Sequence, residues 1–259
     1  MPACWTVAES EDNPDWMAAE MVCQSLDLEH HQHILEDNAF DKSLPNLSWH
    51  GEDLDITVLF FQPLFSTMAK SVKVGLCGQG ADELHAGYPR YRDLESHKNL
   101  VNSRLNACEH PFANRLQEGE ICTSGWRGNH DPSVAFSNLQ TTLDYEMNHG
   151  QLTNFQLRLV DRHSMAHGLE VRVPFLGQSH VDSSTSIPME WKLAAHTEKA
   201  ALRAAADLTR LPKEIVHRPK LPAGRATSPT MIDNLLRYLH ENSIKYANEI
   251  NQFLYILNI

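Results

Sequence analysis

Apolar and polar positions follow two rhythms along the 259 residues, and the order of those rhythms predicts the fold. The chain opens on Cys4-Trp5-Thr6-Val7-Ala8, a short run with strand character. Asn13-Pro14 is then a helix start, with asparagine as N-cap and proline at the first helical position. Met17, Ala18, Met21, Val22 and Leu26 follow at helical spacing as one apolar face. His31-Gln32-His33-Ile34-Leu35 is expected to be the next strand. Residues 36–55 are polar, with Pro45, Asn46 and Gly51 as punctuation, and read as a loop. Ile56 to Ser71 is apolar enough for a buried helix, broken or bent near Pro63. A buried strand, Val72 to Cys77, comes next. Strand, helix, strand is the rhythm of a parallel sheet flanked by helices, so the expected class is α/β with a helical C-terminal part. Residues 1–225 are taken as one domain and 226–259 as its helical extension, with Met231, Leu235, Leu236 and Leu239 as the apolar stripe.

Composition narrows the function classes. A hydrophobic content of 42% and a charged content of 21% are ordinary for a globular protein. The net charge of −11 argues against non-specific binding to nucleic acid or to an acidic membrane. The five cysteines (Cys4, Cys23, Cys77, Cys108, Cys122) are odd in number and show no Cys-x-x-Cys spacing, which fits reduced cytosolic thiols. No secretory signal is visible, and the longest apolar stretch is too short to span a bilayer. The expected location is the cytoplasm, away from membranes.

The first candidate chemistry lies where the predicted strand runs into Gly78-Gln79-Gly80-Ala81-Asp82-Glu83-Leu84. Glycines there let the backbone take positive φ, so successive N–H groups can cradle an anion. Asp82 and Glu83 suit the first turn of a helix. Beside a polyphosphate they would repel the ligand unless a hard cation such as Mg²⁺ lay between. The stretch suggests a nucleotide loop with a metal-holding aspartate, although by spacing alone a Gly-x-Gly after a strand is more often only a tight turn. His30, His31 and His33 are a weaker metal candidate. His31 and His33 share one strand face, His30 takes the other, and no partner stands at ligand spacing.

Two further blocks carry charge. In Gln156 to Leu176, the residues Leu157, Val160, Met165 and Leu169 mark a buried helical seam, with Gly168 near its C-terminal end. Asp161, Arg162, Glu170 and Arg172 would be costly to bury against it unless paired, so an internal ion network and direct substrate contact are both open. Farther on, Lys199, Leu202 and Arg203 lie on an alanine-rich helix, followed by Leu211-Pro212 and then Arg218-Pro219-Lys220. The proline stiffens a loop whose two cations suit phosphate, or simply solvent. Residues 92–150 read as helical pieces and polar loops, including a turn at 124–129, with no chemistry assigned.

Gly78 through Tyr91, including Leu84-His85-Ala86-Gly87-Tyr88-Pro89-Arg90-Tyr91, resembles the second nucleotide loop of asparagine synthetases. Asp161-Arg162-His163-Ser164-Met165-Ala166-His167-Gly168-Leu169-Glu170-Val171-Arg172-Val173-Pro174-Phe175-Leu176 resembles that family's signature, and the block from Lys199 to Lys220 resembles its third motif. The three motifs stand in the family's order and leave out only residues 92–150 and the C-terminal helix. The resemblance is to the C-terminal synthetase domain of glutamine-hydrolysing asparagine synthetases. It implies an adenine-nucleotide alpha-hydrolase-like fold and an ATP-dependent ligase that makes asparagine from aspartate and ammonia through an aspartyl-adenylate. ATP and Mg²⁺ are the implied cofactors, and a separate domain would release the ammonia from glutamine.

By that resemblance Val7, Cys77, Gly78 and Gly80 bind ATP, Asp82 holds Mg²⁺, and Lys220 and Glu83 are catalytic. Arg218, Arg172 and Arg162 belong to a phosphate or substrate network. Two departures stand out: Gln79 occupies a position where the family commonly has a carboxylate, and Gly177 one where it has aspartate. The family's first central strand and its Ser-Gly-Gly-x-Asp-Ser pyrophosphate loop have no counterpart in these residues. The expectation is therefore a truncated synthetase domain, inactive and marginally stable by itself. The alternatives are a non-catalytic fragment that complements a separate N-terminal chain, and a related adenylating ligase such as a β-lactam-forming synthetase.

Overall fold

The computed structural model describes residues 2–51, 58–106, 132–148, 150–221, 227 and 229–241. In chain order the main elements are β1 (Ala3–Ala8), α1 (Pro14–Leu26), β2 (Glu29–Ile34), α2 (Ala39–Gly51), α3 (Phe61–Ala69) and β3 (Val74–Leu76). They continue with α4 (Leu94–Asn106), α5 (Leu139–Asn148), α6 (Leu157–Met165), β4 (Glu170–Arg172), α7 (Gln178–Thr185) and α8 (Pro229–Glu241). This is an α/β arrangement of helices and small parallel sheets. The chain forms two compact units, one from Met1–Leu64 with Leu221–Ile259 and one from Phe65–Lys220.

In the first unit β1 and β2 pair in parallel, from Ala3 opposite Glu29 to Ala8 opposite Ile34, with α1 as the crossover. Asn13 caps α1 as expected: its side-chain oxygen accepts from the N–H groups of Asp15 (2.9 Å) and Trp16 (3.3 Å). The face that α1 buries differs from the expected one. Trp16 and Cys23 point inward, and Met17 and Met21 are exposed. A tryptophan has more apolar area to hide than a methionine, so it takes the core position and turns the helix by one residue. The alternation along β2 is as expected. His31 stacks on Trp5, with ring centroids 4.7 Å apart, while His30 meets the Thr6 hydroxyl at 2.9 Å and leans toward Trp16.

The loop expected over 36–55 is a correction. Its described part holds α2, with Pro45 inside the helix. Phe40, Leu44 and Leu47 recur at i, i+4 and i+7, and Phe40 and Leu47 enter a core with Val7, Leu35, Leu59, Phe60, Ile232 and Leu235. Burial of that stripe outweighs the hydrogen bond that the proline gives up. The final helix is also rotated from its expected stripe, since Ile232 and Leu235 are buried and Leu236 is exposed. The Glu9 carboxylate receives the N–H groups of Thr230 (3.2 Å) and Met231 (3.0 Å) and so caps the start of α8.

In the second unit β3 and β4 pair in parallel over three residues, with Gly75 opposite Val171. β3 is not the fully buried strand expected. Only Gly75 is buried, while Val74 and Leu76 share the opposite, exposed face. The helix Leu157–Met165 follows a π-helical turn, Leu152–Gln156, and its buried seam is Leu159, Val160, His163 and Ser164. Met165 is exposed, because half of that seam is polar and an apolar pattern does not register it. Glu170 and Arg172 are exposed and form a 2.8 Å surface pair instead of a buried network, and Asp161 is exposed as well. Among the described residues no helix is long and apolar enough to cross a membrane. The turn read at 124–129 lies outside the described residues.

Candidate functional site

The glycine loop begins where strand pairing ends, with the Cys77 N–H donating to the Arg172 carbonyl at 3.0 Å. Burial pushes the Cys77 thiol up, which keeps it a neutral wall of the loop. Gly80 has φ +91, and a Cβ there would lie 2.3 Å from Leu176 Cδ2, so both backbone and space demand glycine. Gly78 is the reverse case, since a Cβ on it would meet nothing within 4 Å among the described residues. The turn Ala81–Leu84 is only four residues long, so any anion binding here relies on loop N–H groups rather than a developed helix dipole.

Asp82 stands in this turn with each oxygen taken by a lysine. Lys199 Nζ lies 2.9 Å from Oδ1, and Lys220 Nζ lies 2.9 Å from Oδ2. The carboxylate is 14% exposed, and the two lysine side chains are 20% and 22% exposed. Burial alone would raise its pKa, but Lys220 and then Lys199 outweigh that and hold it below the usual carboxylate range. Lys199 reaches Asp82 from a left-handed backbone (φ 54) just before the helix Ala200–Ala206. The segment leading to Lys220 is tied by Arg203, whose guanidinium pairs with Glu198 at 2.5 Å and donates to the carbonyls of Val216 and Arg218.

Behind Asp82 lies a buried polar cluster. Glu83 is 1% exposed, and its oxygens find no hydrogen-bond partner among the described residues. Burial first, and then the Asp82 and Glu146 charges, push its carboxyl up. The Tyr88 hydroxyl accepts from Gln156 Nε2 at 2.9 Å, and the Arg90 guanidinium carbon sits 3.9 Å from the Tyr88 ring centroid. Arg90 also approaches Glu146 at 3.4 Å, and His97 approaches the same oxygen at 3.2 Å. Burial opposes ionisation of Glu146, but His97 and Arg90 outweigh it and hold the carboxyl low. Reading residues 92–150 as free of chemistry missed Glu146 and His97. The available signal was Glu146 three residues after Leu143, on the helix face that also carries Leu139.

The structure thus brings together Gly80, Asp82, Glu83 and Lys220, and it adds Lys199 to them. Cys77 and Gly78 lead into the same turn. Val7 is buried on β1 of the other unit. Arg172 faces solvent beside Glu170, Arg162 is half-buried on α6, and Arg218 contributes its carbonyl to Arg203.

A family model described as Asparagine synthase matches residues 3–255. The chain belongs to the asparagine synthase family. It is 26% identical over 246 residues to asparagine synthetase [glutamine-hydrolyzing] 1 of Bacillus subtilis (strain 168), a match covering 78% of this chain and 39% of that protein. It is 27% identical over 218 residues to the asparagine synthetase [glutamine-hydrolyzing] of Rattus norvegicus, covering 81% of this chain and 32% of that protein. The chain therefore spans well under half the length of these relatives.

Proposed function

We propose that this chain carries the adenylating half of an asparagine-forming ligase, in which ATP activates the side-chain carboxylate of aspartate and ammonia then displaces AMP. The observation that carries the reading is Asp82, ionised between Lys199 and Lys220 at the edge of the glycine loop. Carboxylate and triphosphate repel each other, so a site for their reaction needs fixed positive charge where negative charge builds up.

The donor set suits Mg²⁺ only with help from phosphate. Among the described residues no three His, Cys, Asp or Glu side chains converge, and one carboxylate with phosphate oxygens and water is an ordinary octahedral set for that ion. When bound, Mg²⁺ would neutralise phosphate charge beside Asp82. Lys220 steadies charge on the phosphates during adenylation, and Lys199 does the same from the other side. Glu83 lies buried beside Asp82, and its proposed part is to orient the loop or the substrate. The loop at Cys77, Gly78 and Gly80 offers backbone groups to the nucleotide. Arg162, Arg172 and Arg218 have weaker support, since Arg172 is turned to solvent.

Two wider elements belong to the same proposal. The 259 residues contain no Ser-Gly-Gly-x-Asp-Ser sequence, which supports reading the pyrophosphate loop and first strand as supplied by another segment. The names of the relatives support glutamine, hydrolysed elsewhere, as the ammonia source. Aspartate-dependent ATP–pyrophosphate exchange tests the reading. Exchange is expected when the chain is joined to a segment bearing that loop and is not expected without it. Exchange that ignores aspartate would refute the substrate.

A further inference from the structure

One segment of the chain holds the Asp82 turn at both ends. At the start of the turn Leu176 packs on Gly80, where a Cβ would lie 2.3 Å from Leu176 Cδ2. At its far end the Ser184 hydroxyl donates to the Leu84 carbonyl at 3.0 Å. Beside that contact His180 meets His85, the residue that closes the turn, Nε2 to Nε2 at 2.9 Å. His180 and Ser184 both lie on α7, and Phe175 packs edge-on against the His180 ring, with centroids 5.1 Å apart. His85 is 2% exposed, and its other nitrogen, Nδ1, finds no hydrogen-bond partner among the described residues.

Two nitrogens facing each other at that distance need one proton between them. An N–H at His85 Nδ1 would be a buried donor with no acceptor, so the proton of His85 is assigned to Nε2, and His180 accepts it. One more proton on the pair spoils this arrangement wherever it goes. On His85 it creates the stranded Nδ1–H directly. On His180 it points two N–H groups at each other, unless His85 moves its own proton to Nδ1 and strands it there. The added charge also meets Lys192, which is 3% exposed at the end of the helix Met189–Lys192, and Lys199, while Asp82 opposes them. Of the acids on the elements packed nearby, Glu146 on α5 faces Arg90 and His97, Asp144 on α5 acts on Lys192, and Asp182 on α7 is exposed and receives Gln178.

We infer that His85 and His180 are a positioning pair, which clamps the Asp82 turn to α7 while both rings are neutral and lets go when either is protonated. The bearing of the clamp on adenylation rests on the proposed reading of Asp82, whereas the clamp itself does not. Burial first, and then His180, Lys192 and Lys199, push the His85 imidazole down to about 4 against the pull of Asp82. That folded value lies below the ordinary 6.5. The stability supplied by His85 is therefore whole above pH 6.5 and is lost as pH falls from there toward 4. Leu176 and Ser184 do not titrate in that window, so acid loosens the turn at its His85 end while Gly80 stays packed.

Melting temperatures between pH 7.5 and 5, for wild type and a His85→Phe, His180→Phe double variant, test the clamp. Two phenyl rings keep an aromatic contact at this place and lose the shared proton. Over that range wild type should fall further than the double variant, by at least about 2–4 °C. His180→Phe alone leaves the His85 N–H without its acceptor and should melt below both proteins at pH 7.5. Parallel profiles for wild type and the double variant would overturn the inference. Should the double variant fail to fold, long-range ¹H–¹⁵N NMR on the wild-type histidines decides. His85 should carry its proton on Nε2 at pH 7.5, and both rings should shift together on acidification. A proton on Nδ1 of His85, or two independent titrations, would again overturn it. The effect on the site is read from the pH profile of aspartate-dependent ATP–pyrophosphate exchange, with each protein joined to a segment bearing the Ser-Gly-Gly-x-Asp-Ser loop. The acid limb should lie at higher pH in wild type than in the double variant, and a common acid limb would refute the positioning role. Exchange by neither protein at any pH would refute the proposed function instead, and the melting profiles would still decide the clamp.

Discussion

Gly87 lies so close to Asp82 that a Cβ on it would stand 2.0 Å from Oδ1, and its N–H donates to the Asp82 carbonyl at 2.7 Å. The side chain that meets both lysines is thus backed by a residue with no side chain. Gly87→Ala should push the Asp82 carboxylate out of place and break its Lys199 contact. Overpacking of this kind costs about 1–3 kcal/mol. Thermal unfolding should show that loss, and binding of Mn²⁺ with pyrophosphate should weaken in parallel. An unchanged melting temperature would mean that the turn relaxes freely.

Glu146 and Glu83 should pull acid stability in opposite directions. The folded state depresses the Glu146 carboxyl below its ordinary value of 4.5, so the stability it supplies is present above that pH and is lost as pH falls through the lower folded value. Glu83 is raised from the same 4.5, so its contribution is complete below that pH and declines as pH rises through the higher folded value. At pH 7 Glu83→Gln should therefore raise the melting temperature, and the gain should vanish below about pH 4.5. Glu146→Gln should lower it at pH 7, because it removes the charge that Arg90 and His97 face. Melting temperatures between pH 3 and 8 for both variants check the two signs.

Arg203 staples the segment that ends in Lys220, through Glu198 and the carbonyls of Val216 and Arg218. Arg203→Ala should cost roughly 1.5–3 kcal/mol, the range for losing a charged hydrogen bond. It should also make Lys220 react faster with acylating reagents, since the loop is no longer tied. Arg203→Lys should recover only part of either effect, because an ammonium cannot reproduce a planar fork. Equal labelling of Lys220 in all three proteins would show that the staple serves the helix alone.

The glycine loop was legible because its demands are local. Gly80 answers to a positive φ and to Leu176, and the chemistry of Asp82 follows from its place beside that loop. The pairing of Asp82 with Lys199 was not legible, since the two are 117 residues apart and only the folded chain sets their distance. The helix α2 was hidden by Pro45, Asn46 and Gly51, whose local preference for a turn lost to burial of Phe40 and Leu47. Glu146 was hidden for a different reason. One acid on a helix looks like a solvated face until Arg90 and His97 are seen around it. The outward turn of Arg172 beside Glu170 was not legible either, because strand alternation depends on register and not on motif.

The central claim is that Lys220, facing Asp82, serves adenylation rather than the fold. The most direct measurement is the initial rate of aspartate-dependent ATP–pyrophosphate exchange by Lys220→Ala and its parent, each joined to a segment bearing the Ser-Gly-Gly-x-Asp-Ser loop. Removal of one such charge-stabilising group typically costs about 10²–10³ in rate, and Lys199 still pairs with Asp82 when Lys220 is gone, so exchange should fall that far in a variant that remains folded. Near-parental exchange by the folded Lys220→Ala variant would contradict the account.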